Sequence, residues 1–273
     1  MPSLIEAKKY IASELVGVVD NPQREAELLL RAYLECDELF FITHSDLEID
    51  LDEPRLKEWI DRRSENYPLE YLTNRVSFYS EHFYIDEGAL IPRPETELLI
   101  DEVLSRVDKN STATIVEVGV GSGVISIILA QKLPNARFIA VDISPLALAV
   151  ARKNIESFGL SGRIELRESD LLSDVDEHID ILISNPPYIA SDAELDTNLS
   201  YEPQNALFGG EIGDEIIKKL LDESYERKIE WFFCEMGYDQ RDKVINYLSN
   251  FQLQSLEFYR DLASFDRGFV LRW

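Results

Sequence analysis

From residue 95 onward the apolar runs switch back and forth between two periods, and this restricts the possible folds more than any other feature of the chain. Helical spacing over 95–107, 124–132, 145–158, 214–227 and 239–250 is interleaved with short strand-like stretches at 114–118, 137–141, 163–167, 179–184 and 231–234, most of them apolar runs. A short run with little polar alternation is suited to burial on both faces, and a helix between two such strands supplies the long crossover that a parallel pair needs. The pattern therefore predicts an α/β domain, a mostly parallel sheet covered by helices on both faces. The last two strands, 252–259 and 268–273, are separated by too few residues for a crossover, so a hairpin is expected, with the sheet ending in one antiparallel strand.

Residues 1–72 carry only helical signals. Leu4, Ile11 and Leu15 recur at helical spacing, and Asn21-Pro22 reads as an N-cap with proline at the first helical position, ahead of Ala26, Leu29, Leu30 and Tyr33. Pro54 opens another helix with Leu56, Trp59 and Ile60, so a small helical bundle is expected. Between Arg75 and Asp86 aromatic and β-branched residues take over (Val76, Phe78, Tyr79, Phe83, Tyr84, Ile85), predicting a short β-hairpin. The expected organisation is a helical domain at 1–72, a hairpin linker at 73–90 and the α/β domain at 91–273.

Apolar runs such as Val124 to Ala130 fall far short of the roughly 20 residues of a membrane span, and the first residues lack the basic and apolar regions of a secretion signal. Cys36 and Cys234 give no disulfide framework, and His44, His82 and His178 have no ligand spacing, so a cytoplasmic chain without a metal is expected. With 52 acidic against 27 basic residues the formal net charge is −25, which repels polyanions at long range. Between Tyr188 and Lys218 stand seven acidic residues, Asp192, Glu194, Asp196, Glu202, Glu211, Asp214 and Glu215, and no lysine or arginine. Read as a solvated acidic loop, that stretch still leaves a phosphate backbone without counter-charge.

Two motifs sit where predicted strands end, which is where α/β proteins place their chemistry. Asn185-Pro186-Pro187-Tyr188 follows directly on the run Ile179 to Ser184. The asparagine offers a side-chain carbonyl oxygen, and the prolines stiffen the backbone that carries the next carbonyl, so two acceptors can grip one planar NH2 group. The other motif is Glu117-Val118-Gly119-Val120-Gly121-Ser122-Gly123, with Asp142 ending the next strand 19 residues beyond Gly123. Glycines let a backbone approach a ligand closely, and an acidic residue about 20 positions on can accept from ribose hydroxyls. Tight strand–helix packing or a nicotinamide site would use similar glycines. The Gly-x-Gly-x-Gly spacing and the lack of a nearby basic residue favour a nucleoside without phosphates, of which S-adenosylmethionine is the common one.

With these motifs, residues 91–273 resemble the class I S-adenosylmethionine-dependent methyltransferases, whose sheet is Rossmann-like. Three further segments, Ile91-Pro92-Arg93-Pro94-Glu95-Thr96-Glu97, Tyr201-Glu202-Pro203 with Ala206-Leu207, and Glu235-Met236-Gly237-Tyr238-Asp239-Gln240, are similar to the bacterial release-factor glutamine methyltransferases, the PrmC/HemK family. The helical domain of that family also matches residues 1–72 in type and position. Glu117 and Val120 stand where aspartate and threonine are frequent, and Leu171 where some members carry an aromatic residue beside the adenine.

The resemblance implies methyl transfer from S-adenosylmethionine, leaving S-adenosylhomocysteine, to the side-chain nitrogen of the glutamine in the Gly-Gly-Gln loop of class I peptide chain release factors. The catalytic residues it implies are Asn185, Pro186, Pro187 and Tyr188, the tyrosine giving a face against which the planar amide packs. For the cofactor it implies Glu117, the turn Gly119, Val120, Gly121, Ser122 and Gly123, then Asp142 and Ile143 at the ribose, and Asp170 with Leu171 at the adenine, with Asn185 bordering the same site. Glu117 reads equally as an anchor for the loop, Asp170 as a helix start, and Arg93 to Thr96 as either a pocket wall or a helix opening. The implied partners are release factors, bound by a monomer through the helical domain, with no direct nucleic acid or membrane contact. One rival is a DNA methyltransferase acting on the amino group of adenine or cytosine, since the same tetrapeptide can hold an extruded base, and the acidic stretch weighs against it; the other is a non-catalytic interaction protein on a methyltransferase scaffold, against which the intact Asn185 to Tyr188 and the glycine turn weigh.

Overall fold

The computed structural model describes residues 1–273, and these form two compact units, Met1–Arg75 with Asp196–Tyr201, and Val76–Leu195 with Glu202–Trp273.

The first unit contains α1 (Leu4–Glu14), α2 (Pro22–Tyr33), α3 (Glu38–Thr43), α4 (Pro54–Ser64) and α5 (Leu69–Thr73). Ser3 and Glu6 close a capping box at the start of α1, and the Asn21 side chain accepts from the Arg24 N–H ahead of Pro22 in α2. The helices meet over Leu4, Ile11, Leu15, Leu29, Leu30 and Leu56, all fully buried. Arg63 is buried as well, its guanidinium donating to the Glu25 carboxylate at 3.0 Å and to the Tyr67 carbonyl at 3.3 Å. The segment Asp196–Tyr201 belongs to this unit although it lies more than a hundred residues further along the chain. Its Tyr201 ring packs edge-on to Tyr67 at 5.1 Å, and its hydroxyl donates to the Glu65 carbonyl at 3.1 Å.

The second unit opens with the hairpin β1 (Val76–Phe78) and β2 (Glu81–Phe83), whose two turn residues, Tyr79 and Ser80, both have positive φ as a two-residue type I′ turn requires. The series continues with α6 (Thr96–Arg106), β3 (Thr114–Val118), α7 (Val124–Lys132), β4 (Arg137–Asp142), α8 (Pro145–Ser157), β5 (Ile164–Glu168) and β6 (Ile181–Ser184). Beyond it lie β7 (Ile189–Ala190), β8 (Phe208–Gly210), α9 (Glu215–Glu226), β9 (Trp231–Glu235), α10 (Arg241–Leu248), β10 (Ser255–Arg260) and β11 (Asp266–Arg272).

The predicted architecture is the one found: seven strands in the order β10-β11-β9-β6-β3-β4-β5, parallel throughout except at the chain-terminal strand. That strand, β11, runs antiparallel to both β9 and β10 and so lies second from the edge. The small parallel pair β7–β8 was not legible, because two- and three-residue strands carry no period. Buried residues Val116, Ile139, Leu182, Phe232 and Phe269 from five strands share one core with Leu220 and Leu221 of α9.

The strand order decides where a site can form. From β3 the chain winds outward through β4 to β5, then returns to place β6 on the other side of β3. Connections leave in opposite directions from the carboxyl ends of β3 and β6, which opens a crevice there.

Candidate active site

A cavity of about 320 Å³ occupies this crevice, a size suited to a small-molecule ligand. It brings together Glu117, Gly119, Val120, Gly121 and Ser122 from the end of β3, Asp142 and Ile143 from β4, Asp170 and Leu171 after β5, and Asn185, Pro186 and Pro187 after β6. Gly123 and Tyr188 are not on its wall.

The three glycines have φ of +77° at 119, +52° at 121 and +85° at 123, a conformation that side-chain-bearing residues adopt at a cost. Their surroundings differ. A Cβ on Gly121 would meet nothing within 4 Å, whereas one on Gly123 would lie 3.4 Å from Ala151 of α8. Gly121 therefore serves the turn facing the cavity, and Gly123 serves the close approach of α7 to α8. The Gly119 and Val120 N–H groups both donate to the Val141 carbonyl, and Asp142 completes the closure: one carboxylate oxygen accepts from the Gly121 N–H at 3.0 Å, the other from the Ser144 N–H at 2.9 Å. Burial raises the Asp142 pKa, and these backbone N–H groups oppose the rise by stabilising the charged form.

Glu117 lies beneath the turn, 2% exposed. Its carboxyl accepts from the Ser126 N–H at 2.9 Å and from the Ser126 hydroxyl, anchoring the first turn of α7. Burial pushes its pKa up to about 8, and the neighbouring Asp142 charge adds to the effect. On the β5 side Leu171 takes a φ of +52°, held there by a hydrogen bond from the Ser169 hydroxyl to its carbonyl at 2.9 Å.

At the end of β6 the Ser184 hydroxyl donates to the Val118 carbonyl at 2.8 Å, locking the two central strands just before they diverge. The Asn185 amide nitrogen donates to the Thr96 hydroxyl oxygen at 3.1 Å, so the donor half of the amide is engaged with α6 and the oxygen is left to accept from the cavity. The Pro186 carbonyl accepts no backbone hydrogen bond. Tyr188, instead of facing the cavity, packs its ring against the core of the sheet, where burial raises its hydroxyl pKa. The residue after the two prolines directly precedes β7.

Several groups that shape the site lie outside the motifs. Buried Gln240 donates to the Tyr188 and Gly213 carbonyls at 3.1 and 3.0 Å while accepting from the Gly237 N–H at 3.0 Å, and so secures the backbone after the prolines. Burial pushes the pKa of Glu235, at the end of β9, up to about 7, and the Thr96 and Asn185 side chains it faces oppose that rise. Glu202 stands in the acidic stretch that reads as solvated, yet it is 3% exposed. It pairs with Arg93 at 2.5 Å and accepts from the Ile91 N–H at 3.0 Å. Its only sequence signal was its place in the Tyr-Glu-Pro segment. Arg93 is the one basic residue on the cavity wall, and this pairing neutralises it. The cavity thus offers carboxylates, backbone groups and apolar walls, which suits a nucleoside without phosphates. No group of three or more His, Cys, Asp or Glu side chains is arranged to hold a metal, and no helix is long and apolar enough to cross a membrane.

Residues 94–207 match the methyltransferase small domain and residues 6–73 the PrmC N-terminal domain. The chain is similar to the release factor glutamine methyltransferase of Koribacter versatilis, at 39% identity over 232 residues covering 82% of each protein. It is also similar to that of Clostridium botulinum, at 34% identity over 97% of this chain and 95% of the relative. Among solved structures, the N-terminal domain of human METTL16 in complex with SAH covers 88% of this chain and 93% of its own, with a TM-score of 0.53 and 17% identity. At that identity the likeness is one of fold.

Proposed function

The chain belongs to the family of release factor glutamine methyltransferases, and on that premise we propose that it methylates the side-chain amide nitrogen of the glutamine in the Gly-Gly-Gln loop of class I release factors. S-adenosylmethionine, when bound, supplies a methyl group made electrophilic by its sulfonium and leaves as S-adenosylhomocysteine. The residues that would hold it are the 119–121 turn, Asp142 for the ribose hydroxyls, and Asp170 with Leu171 at the adenine.

An amide nitrogen is a poor nucleophile because its lone pair is delocalised into the carbonyl. The Asn185 side-chain oxygen and the Pro186 carbonyl would accept its two N–H groups, holding the nitrogen in line for attack and stabilising the positive charge that grows on it as the N–C bond forms. No base is required beforehand, since the methylated nitrogen is far more acidic and loses its proton to solvent afterwards. What carries this reading is the Asn185–Thr96 hydrogen bond, which leaves the amide oxygen as the group that faces the cavity. The neutralised Arg93 and the absence of lysine or arginine between Tyr188 and Lys218 favour a protein amide over a nucleobase in duplex DNA. The helical unit would recognise the release factor, and a cytoplasmic monomer fits that task.

The test supplies labelled S-adenosylmethionine with either purified release factor or duplex DNA. Label in the protein is expected; label in DNA alone overturns the reading. Asn185→Ala should lower the transfer rate about 10²–10³-fold, the range for losing one preorganised hydrogen-bonding group, and change cofactor affinity less than about threefold. A parallel loss of both would make Asn185 chiefly a cofactor residue.

A further inference from the structure

We propose, resting on the reaction set out above, that Glu235 is a positioning residue whose carboxylate, acting through the Thr96 hydroxyl, keeps the Asn185 amide turned with its oxygen toward the cavity. Strands β6 and β9 are parallel neighbours with Ser184 opposite Cys234, so Asn185, just past the end of β6, lies beside Glu235, the last residue of β9. Thr96 approaches from α6, and both it and Glu235 are at least 97% buried, at 3% and 2% exposed. The Glu235 Oε2 atom is buried without a hydrogen-bond partner in the protein; burial favours the neutral carboxyl, and the Thr96 and Asn185 side chains are among the groups that oppose it.

Behind the carboxyl, Tyr259 of β10 lies opposite Gly268 of β11, which in turn lies opposite Glu235. Having no side chain, Gly268 lets the tyrosine reach across it: a Cβ there would fall 2.1 Å from the Tyr259 hydroxyl. That hydroxyl is likewise buried without a partner. A donor and an acceptor without protein partners thus lie near one another across Gly268, and buried polar atoms of this kind call for an explanation. The other groups facing the carboxyl are Arg267, which favours its charge, and Glu95, which opposes it; Tyr188 and Cys234 lie within its field.

The explanation follows from counting hydrogens. Thr96 has one to give, and an ionised carboxylate can only accept, so Thr96 donates to Glu235 and accepts from the Asn185 NH2. The Asn185 oxygen then faces the substrate NH2. A neutral group at 235 can donate to Thr96 instead. Thr96 would turn its hydrogen to the Asn185 oxygen, the amide would flip, and two NH2 groups would confront each other across the cavity, with desolvated donors unpaired.

Two measurements decide it. In the ligand-free protein, the Asn185 side-chain NH2 signals in ¹⁵N NMR, assigned by their loss in Asn185→Ala, should shift with pH about a midpoint near 7, where burial places the Glu235 carboxyl. The shift should vanish in Glu235→Gln. In single-turnover transfer to release factor, wild-type rates should rise with pH through the same midpoint. Glu235→Gln and Thr96→Val should be about 100-fold slower with no such rise, while KM and cofactor affinity stay within about threefold. Thr96→Ser, which keeps the hydroxyl, should restore most of the rate. A wild-type midpoint retained in Glu235→Gln, or Asn185 signals indifferent to it, overturns the proposal. Normal Asn185 titration without transfer to release factor would instead overturn the substrate reading alone.

Discussion

Replacing Glu117 by Gln should stabilise the ligand-free protein, and increasingly so as pH rises. The carboxyl is buried against Ser126 with the Asp142 charge nearby, and its pKa in the folded chain is about 8 against an ordinary 4.5. A carboxyl raised in this way binds its proton more tightly in the folded than in the unfolded state. Its contribution to stability is therefore complete below about pH 4.5 and is lost as pH rises through about 8. At about 1.4 kcal/mol per pH unit, that interval corresponds to a ceiling of roughly 4–5 kcal/mol. Glutamine has the same shape, accepts from both Ser126 donors through one oxygen, and does not titrate. Urea unfolding of the two proteins at pH 5 and pH 8.5 should give free energies within about 1 kcal/mol at the lower pH, and a glutamine variant more stable by at least about 2 kcal/mol at the higher. A difference independent of pH would mean that Glu117 is not held protonated in the fold, and would refute the reasoning.

Gly123→Ala combines positive φ with a 3.4 Å contact to Ala151 and should cost about 1–3 kcal/mol, whereas Gly121→Ala, strained but facing open space, should cost about 1 kcal/mol and weaken the cofactor; thermal melts and cofactor titration separate the two. Gln240→Leu strands two carbonyls and an N–H in a buried site and should lower unfolding free energy by about 2–4 kcal/mol, read by urea denaturation. On α3, Leu39 and Ile42 are 69% and 65% exposed, and Leu39→Glu with Ile42→Glu should raise the KM for release factor several-fold without altering cofactor affinity; an unchanged KM would remove this helix from the recognition surface.

Chain periodicity carried the alternating strands and helices of the seven-stranded sheet, because the central strands β3, β4, β6 and β9 are almost wholly buried and each crossover helix must be apolar toward the sheet. It also carried the glycine turn, since three left-handed positions at alternate residues admit few other side chains. It did not disclose that Glu202 is buried against Arg93, 109 residues away, or that Tyr201 packs on Tyr67. Nor could it show that Tyr188 turns inward while Gln240 secures its backbone. The sequence by itself determined the longer elements, the parallel sheet and the two strand-end motifs, which depend on neighbours a few residues apart. Only the tertiary structure decided that Thr96, Asn185 and Glu235 share one buried patch. Sheet order and burial, not chain proximity, bring them together, and the direction of a hydrogen bond exists only once its partners have met.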